Sequence, residues 1–220
     1  MVWNTASVLV LIGSILIAYL LGSVNFAIII TKLFKKGDIR DYGSGNAGMT
    51  NVLRTVGKGA AALTLLGDFS KGILSVLIMR LLMFLCCGIT DTSLLDYIVA
   101  LAALMGHLFP VFYGFKGGKG ILVSAGAMLI LNPWSLLICL AVFLLFACLT
   151  RYISARSIAA GITYPFGVMF TTWLSFGYVH WAEAGLAALI GLVVILMHHA
   201  NIKRLLNGTE SKVSFKSKKP

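Results

Sequence analysis

Residues 6–30 read ASVLVLIGSILIAYLLGSVNFAIII, 25 consecutive residues without a charged side chain. A helix needs about 20 mostly apolar residues to cross the hydrocarbon core of a bilayer, so this stretch predicts a transmembrane helix. No basic segment precedes it and it is too long for a signal peptide, so it reads as a retained helix. On either side of the same criterion, further candidate spans fall at roughly 60–85, 94–113, 120–132, 134–150, 158–179 and 182–199. The fourth is short, reaching only about 20 Å at about 1.5 Å per residue. With the fifth, across Asn132 and Pro133, it forms either two short spans or a re-entrant hairpin, and both return the chain to the same face. The expected fold is an all-α integral membrane protein of about seven transmembrane helices, a single polytopic domain over residues 1–220 with a basic tail from about residue 200.

Composition agrees. The chain is 59% hydrophobic and 11% charged with a mean hydropathy of +0.96, whereas soluble domains run nearer half apolar and a quarter charged. Its net charge of +11 does not point to nucleic acid. Few aromatics interleave with the basic residues, and the apolar bulk leaves no surface for a duplex. Anionic lipid headgroups or an anionic substrate are the fitting partners.

The basic residues are one-sided. Lys32, Lys35, Lys36, Arg40, Arg54 and Lys58 lie between the first two spans, Lys116 and Lys119 before the fourth, and Arg151 and Arg156 before the sixth. Lys203, Arg204, Lys212, Lys216, Lys218 and Lys219 follow the last. Of the 18 Lys and Arg residues only Lys71 and Arg80 lie elsewhere, both in the second span. The positive-inside rule puts this side in the cytoplasm, with the N-terminus outside and the C-terminus inside. Cys86, Cys87, Cys139 and Cys148 all lie in apolar runs without metal-ligand spacing and read as small buried hydrophobes.

Polar motifs gather on the same side. Between the first two spans stands Gly37-Asp38-Ile39-Arg40, followed by Gly43-Ser44-Gly45-Asn46 and Thr50-Asn51-Val52-Leu53-Arg54. Glycine-rich backbone approaches ligands closely. Its amides with Ser44 and Asn46 would form an anion nest, and Arg54 would be a fork donor to phosphate; a flexible loop of turn-forming residues is the plainer reading. A second cluster runs from Gly106-His107 to Gly117-Gly118-Lys119-Gly120 at the start of the fourth span, where helix-end amides and Lys119 favour an anion. It is no nucleotide-binding P-loop: Tyr113 stands where the first glycine belongs and Gly120 where Ser or Thr would hold magnesium. His107 reads equally as a site residue or as a partner for a neighbouring helix. A third cluster, Arg151 to Ser157, lies between spans. A fourth is His198-His199-Ala200-Asn201 through Glu210, with His198 and Asn201 on one helix face. Lys203 and Arg204 read first as headgroup contacts. Asp68 and Lys71, three apart inside the second span, read as an intrahelical pair or as the lining of a functional cavity. Pro165 predicts a kink.

Taken in order, these motifs resemble the bacterial acyl-phosphate-dependent glycerol-3-phosphate acyltransferases (the PlsY family). The resemblance covers essentially the whole chain and includes Gly22-Ser23-Val24, Gly67-Asp68-Phe69-Ser70-Lys71-Gly72 and Arg151-Tyr152-Ile153-Ser154 besides the loops above. It implies seven spans in the bacterial inner membrane with a cytoplasmic site. It also implies acyl transfer from acyl-phosphate to the 1-hydroxyl of sn-glycerol 3-phosphate, giving lysophosphatidic acid and inorganic phosphate without metal or cofactor. By position, the resemblance assigns Ser44, His107, His198 and Asn201 to catalysis. Gly45, Asn46, Thr50, Asn51, Arg54, Gly117, Gly118, Lys119, Gly120, Ser154, Ser157 and Glu210 would then bind substrate or phosphate. The chain departs from the pattern at Ala47, Met49 and Val123, at Asn25 where proline is common, and at Met197 and His199, where basic residues usually flank the histidine. Two other functions fit part of the sequence. A thioester-dependent acyltransferase would show Asp five residues after a histidine, but Phe112 follows His107 at that offset. A transporter of an anionic metabolite would use helix ends for its substrate, yet neither glycine motif repeats between the halves. Nothing in the sequence speaks to oligomeric state.

Overall fold

The computed structural model describes residues 4–212; Lys216, Lys218 and Lys219 of the basic tail lie outside the described residues. All regular structure among the described residues is helical. The principal helices are α1 (Thr5–Ser23), α2 (Phe26–Lys35), α3 (Met49–Thr55), α4 (Lys58–Cys87), α5 (Ser93–Leu108), α6 (Ile121–Leu131), α7 (Pro133–Leu149), α8 (Ile153–Phe176), α9 (Trp181–Leu196) and α10 (His199–Leu206). Among the described residues three helical stretches are long and apolar enough to cross a membrane: Thr5–Lys35, Lys58–Cys87 and Ser93–Tyr113. A fourth arises if α9 and α10, bent by 60° at the join, count as one. The chain divides into two compact units, Met1–Pro133 and Trp134–Pro220.

In the first unit α1 and α6 pack against α4, and α1 and α4 also pack along α5. Over much of α4 the burial pattern inverts that of a soluble helix. The buried positions are Ala60, Ala61, Thr64, Gly67, Asp68, Lys71, Gly72 and Ser75, joined by Val76, Met79 and Met83 toward its end, while Leu63, Leu66, Leu77, Leu81 and Leu85 are exposed. Lipid is as apolar as leucine, so close backbone packing rather than apolar burial holds such helices together, and small residues collect at their contacts. A methyl group at Gly22 would strike the Ala103 carbonyl, at Gly106 the Tyr19 carbonyl, at Gly72 the Val123 carbonyl and at Gly126 the Phe69 carbonyl. Val123, a departure from the family pattern, is fully buried in this unit's core beside that contact.

The first predicted span is broken. α1 ends at Ser23, and Asn25 caps α2 by accepting a hydrogen bond from the Ile28 amide at 3.1 Å. Asparagine thus does by capping what a proline at a helix start does by its fixed φ. Arg80, one of the two basic residues off the basic side, is neutralised in place. Its Nε donates to buried Asp96 at 3.0 Å, Thr92 donates to the other Asp96 oxygen at 2.9 Å, and Arg80 also reaches the Ile130 carbonyl. The Arg80 guanidinium so ties α4 to α5 through Asp96 and to the end of α6 through Ile130.

The second unit pairs α8 with α9. Pro165 lacks the amide that would bond the Gly161 carbonyl, and that carbonyl lies against Gly191, where any Cβ would collide with it. α8 runs unbroken for 24 residues and begins earlier than the sequence predicts. Ser154 and Ser157 therefore sit in its first turns rather than in a loop. Cys139 is buried as expected, but Cys86 and Cys148 are exposed, on apolar helices whose outward faces suit lipid.

Candidate active site

The first glycine loop is folded by one side chain. Asn51, in the first turn of α3, donates from Nδ2 to the carbonyls of Tyr42 at 2.8 Å, Asn46 at 3.1 Å and Ile39 at 3.2 Å. Its Oδ1 accepts the Ser44 amide at 3.0 Å. A 1% exposed amide engaged on both sides is consumed by the protein. Asn51, expected as a phosphate ligand, is therefore the residue that shapes the loop. Gly43 adopts φ +59, and a side chain there would meet Asn51 Oδ1, so glycine permits the turn that brings the amide in. The Gly45 amide donates to Tyr42 and the Gly48 amide to Asn46, leaving the anticipated nest partly closed. Lys35 rests 4.1 Å over the Tyr42 ring. The Ser44 hydroxyl is exposed, and among the described residues Arg54 has no partner for its exposed guanidinium.

The second loop is pinned to the first. Asp38 and Arg40 pair at 2.7 Å, and Arg40 extends to the carbonyls of Tyr113 at 2.7 Å and Lys116 at 3.3 Å. The Arg40 guanidinium holds the Asp38 carboxyl below its ordinary value, and Asp38 in turn raises that of Arg40. The amides of Gly117 and Gly118 are not turned to an anion, as their sequence suggested. They donate to the Leu108 and His107 carbonyls at 3.0 and 3.1 Å, closing the loop onto the last turn of α5. Glycine is needed there for close approach: a Cβ at Gly118 would strike His107 Nε2 and the Ala47 carbonyl, and one at Gly117 the His107 carbonyl. Gly120 takes φ +83 and opens α6, whose first turn has no side-chain cap. Its leading amides and dipole therefore keep the anion-binding character expected of this segment. Lys119 is half-buried and engaged within the protein.

Beneath this loop lies a buried constellation. Lys71 Nζ is 3.0 Å from Asp68 Oδ1, 2.9 and 2.8 Å from the carbonyls of Gly22 and Val24 at the end of α1, and 2.8 Å from His107 Nδ1. All three side chains are at most 4% exposed. The plain intrahelical pair read from sequence is thus part of a three-helix junction that includes a predicted catalytic residue.

In the second unit Glu210 is the hub. Its Oε1 accepts from Ser154 at 2.8 Å and Asn201 at 2.7 Å, and its Oε2 accepts from Arg204 Nε at 2.7 Å. Burial pushes its carboxyl upward, but the Arg204, Asn201 and Ser154 donors outweigh it and hold the group below its ordinary value. Glu210, expected to bind substrate, spends its oxygens on joining α8, α10 and the turn after α10. Arg204, read as a headgroup contact, is its partner. His198, between α9 and α10, donates from Nδ1 to the Val194 carbonyl at 2.8 Å, and Ser157 is buried one turn into α8. Among the described residues no three His, Cys, Asp or Glu side chains gather where a metal could be held.

Of the predicted residues, Ser44, Gly45, Asn46 and Asn51 share the first loop, Thr50 and Arg54 lie on α3, and Gly117 to Gly120 with His107 form the second loop and its support. Ser154, Asn201 and Glu210 meet in the second unit. Asp38, Arg40, Asp68, Lys71 and Arg204 lie outside the site expected from sequence. Charges inside an apolar span and an Asp-x-Arg step beside a glycine loop were the available signals.

The family described as glycerol-3-phosphate acyltransferase matches residues 12–208. A glycerol-3-phosphate acyltransferase of Neisseria meningitidis serogroup C is 43% identical over 206 residues, covering 92% of this chain and 96% of the relative. One from Clostridioides difficile is 45% identical over 203 residues, covering 91% and 94%. Among solved structures, the crystal structure of PlsY, an integral membrane glycerol 3-phosphate acyltransferase, in its glycerol 3-phosphate form superposes with a TM-score of 0.79 at 36% identity, covering 93% of this chain and 96% of that one. Its lysophosphatidic acid form gives 0.77 at 35% identity, covering 93% and 95%.

Proposed function

We propose a reaction from the premise that this chain belongs to the glycerol-3-phosphate acyltransferase family: it transfers a fatty acyl group from acyl-phosphate to the 1-hydroxyl of glycerol 3-phosphate. The hydroxyl oxygen attacks the acyl carbonyl carbon, the carbon–oxygen bond to phosphate breaks, and the hydroxyl proton leaves with inorganic phosphate. The product is lysophosphatidic acid. An acyl phosphate is already activated, so positioning and charge neutralisation supply much of the catalysis.

The observation that carries this reading is the joining of the two glycine loops in the first unit. Arg40 bridges them, and Gly118 packs against both Ala47 and His107. Both substrates carry phosphate. Ser44, Asn46 and Arg54 on one side, and Lys119 with the opening amides of α6 on the other, are the phosphate-handling groups. Asn51, Gly117 and Gly118 hold the loops in shape. For the second unit we assign His198, Ser154, Ser157, Asn201 and Glu210 a part in turnover, Glu210 as organiser. The chain sits in the bacterial inner membrane with seven spans, its N-terminus outside and these loops in the cytoplasm.

Detergent-purified protein given acyl-phosphate and glycerol 3-phosphate is expected to release inorganic phosphate and form lysophosphatidic acid. No release, with no compartment to transport across, would sink the reaction. Arg54→Ala and Lys119→Ala are each expected to raise the glycerol 3-phosphate KM or lower kcat by about 10²-fold or more, while inserting normally. Wild-type kinetics in both would overturn the assignment.

A further inference from the structure

Lys71 is unusual in what surrounds it. Its ammonium has three protons, which serve the Gly22 and Val24 carbonyl oxygens and His107 Nδ1 at 2.9, 2.8 and 2.8 Å, while Asp68 Oδ1 at 3.0 Å meets the charge as an ion pair without a directed hydrogen bond. Carbonyls and a carboxylate can only accept. Asp68 at 3.0 Å makes Lys71 the charged partner of a buried pair, because a neutral amine would leave that carboxylate uncompensated at membrane depth. An ammonium has no lone pair to receive a proton from imidazole, so His107 Nδ1 must face it as an acceptor. A proton on Nδ1 has no other taker there, since Asp68 Oδ1 is 3.7 Å away, beyond hydrogen-bond reach. Protonating the whole ring would set an Nδ1–H against the Lys71 charge. His107 is therefore neutral with its proton on Nε2.

That edge of the ring faces the glycine loop. A Cβ on Gly118 would collide with His107 Nε2, and the Gly118 amide bonds the carbonyl of the same histidine at 3.1 Å. Ring and loop are thus registered on each other by one residue. Among the described residues Nε2 makes no hydrogen bond. We propose that the Asp68–Lys71 pair is a positioning element of the acyl transfer, locking His107 as an Nε2–H donor that serves an oxygen of the substrate beside Gly118, rather than as the base that takes the hydroxyl proton. This rests on the acyltransferase reading. It adds Asp68 and Lys71 as positioning residues, and it gives the Gly-Asp-Phe-Ser-Lys-Gly segment of α4 a chemical reason. It also separates the two histidines. His198, with Nδ1–H on the Val194 carbonyl, carries its lone pair on Nε2 when neutral, the opposite tautomer.

Two readouts test this independently. Nitrogen-15 NMR of histidine-labelled protein in detergent at neutral pH, with the His107 signals assigned by their loss in His107→Gln, is expected to show the Nε2–H tautomer. An Nδ1–H or doubly protonated ring would overturn the proposal whatever the activity. In kinetics, His107→Ala is expected to lower kcat by about 10²–10³-fold, the usual loss for one oxyanion-type donor. His107→Gln, whose amide can still donate, should keep kcat within about tenfold of wild type; if it is as inactive as His107→Ala, the donor role is wrong. Lys71→Met, or Asp68→Asn if that variant does not fold, should mix the tautomers and lower kcat while leaving the glycerol 3-phosphate KM within about threefold, since phosphate binding is assigned elsewhere. An unchanged tautomer with unchanged kcat would overturn the positioning role. A wild type without acyl transfer but with the Nε2–H tautomer would sink the reaction and not the assignment of the ring.

Discussion

At the residue scale, polar side chains that the sequence offers as ligands divide into those that meet solvent and those that build. Asn51 and Glu210 are builders. Each is buried, and each has its polar atoms turned to backbone or side chains of its own unit. Sequence could not separate contact from support for either residue, because the distinction depends on which carbonyls and donors the fold brings within hydrogen-bond distance. Glu210 makes the difference measurable. Its carboxyl is held below the ordinary value of 4.5, so the folded state favours the charged form. The stabilisation is present above about pH 4.5 and is lost as pH falls through the lower folded value. Glu210→Gln is expected to be less stable than wild type by about 1–3 kcal/mol at neutral pH, the range for leaving buried donors unmatched. Thermal unfolding in detergent should show this gap narrowing on acidification below pH 4.5. A gap independent of pH would mean the carboxylate charge contributes nothing.

At the element scale, apolar runs were legible as helices, yet their ends were not. α1 and α2 fuse in the sequence pattern because Asn25 is a single polar residue inside an otherwise apolar, uncharged run, whereas the backbone breaks there and offers two carbonyls to Lys71. α8 begins at Ile153, and its first turn holds Ser154 against Glu210, a contact 56 residues away in the chain that no local pattern shows. The helix contacts themselves follow a rule that sequence shows only as scattered glycines. Gly106 touches the Tyr19 carbonyl where any Cβ collides with backbone, while Gly13, on the same pair of helices, has nothing within 4 Å of a Cβ. Gly106→Ala should destabilise by about 1–3 kcal/mol through overpacking. Gly13→Ala should be neutral or stabilise by up to about 1 kcal/mol, the helix propensity difference. Melting temperatures of the two variants in one detergent decide it. Equal effects would mean that the α1–α5 contact is not set by backbone approach.

At the scale of the whole molecule, sidedness is the expectation that needs only the positions of Lys and Arg. The two exceptions to that pattern are explained inside the first unit: Lys71 and Arg80 each meet a buried carboxylate and so carry no net charge into the membrane. The remaining 16 basic residues all fall on the side that the positive-inside rule assigns to the cytoplasm. Length is less decisive than charge. Among the described residues three or four helical stretches pass as spans by length and hydropathy, and the 11 residues of α6 cover only about 16 Å at about 1.5 Å per residue, half a bilayer core of about 30 Å. Seven crossings therefore require that charge asymmetry, not helix length, sets the path of the chain. That is testable by reporter fusions. Alkaline phosphatase folds only outside and should be active when fused after Asp91, between α4 and α5, and inactive after Lys116. Green fluorescent protein at the C-terminus should fluoresce, as it does only in the cytoplasm. Active phosphatase after Lys116 would move the second glycine loop to the outer face. The phosphate-handling loops and the basic side would then be separated, and the proposed reaction would lose its access to substrates made in the cytoplasm.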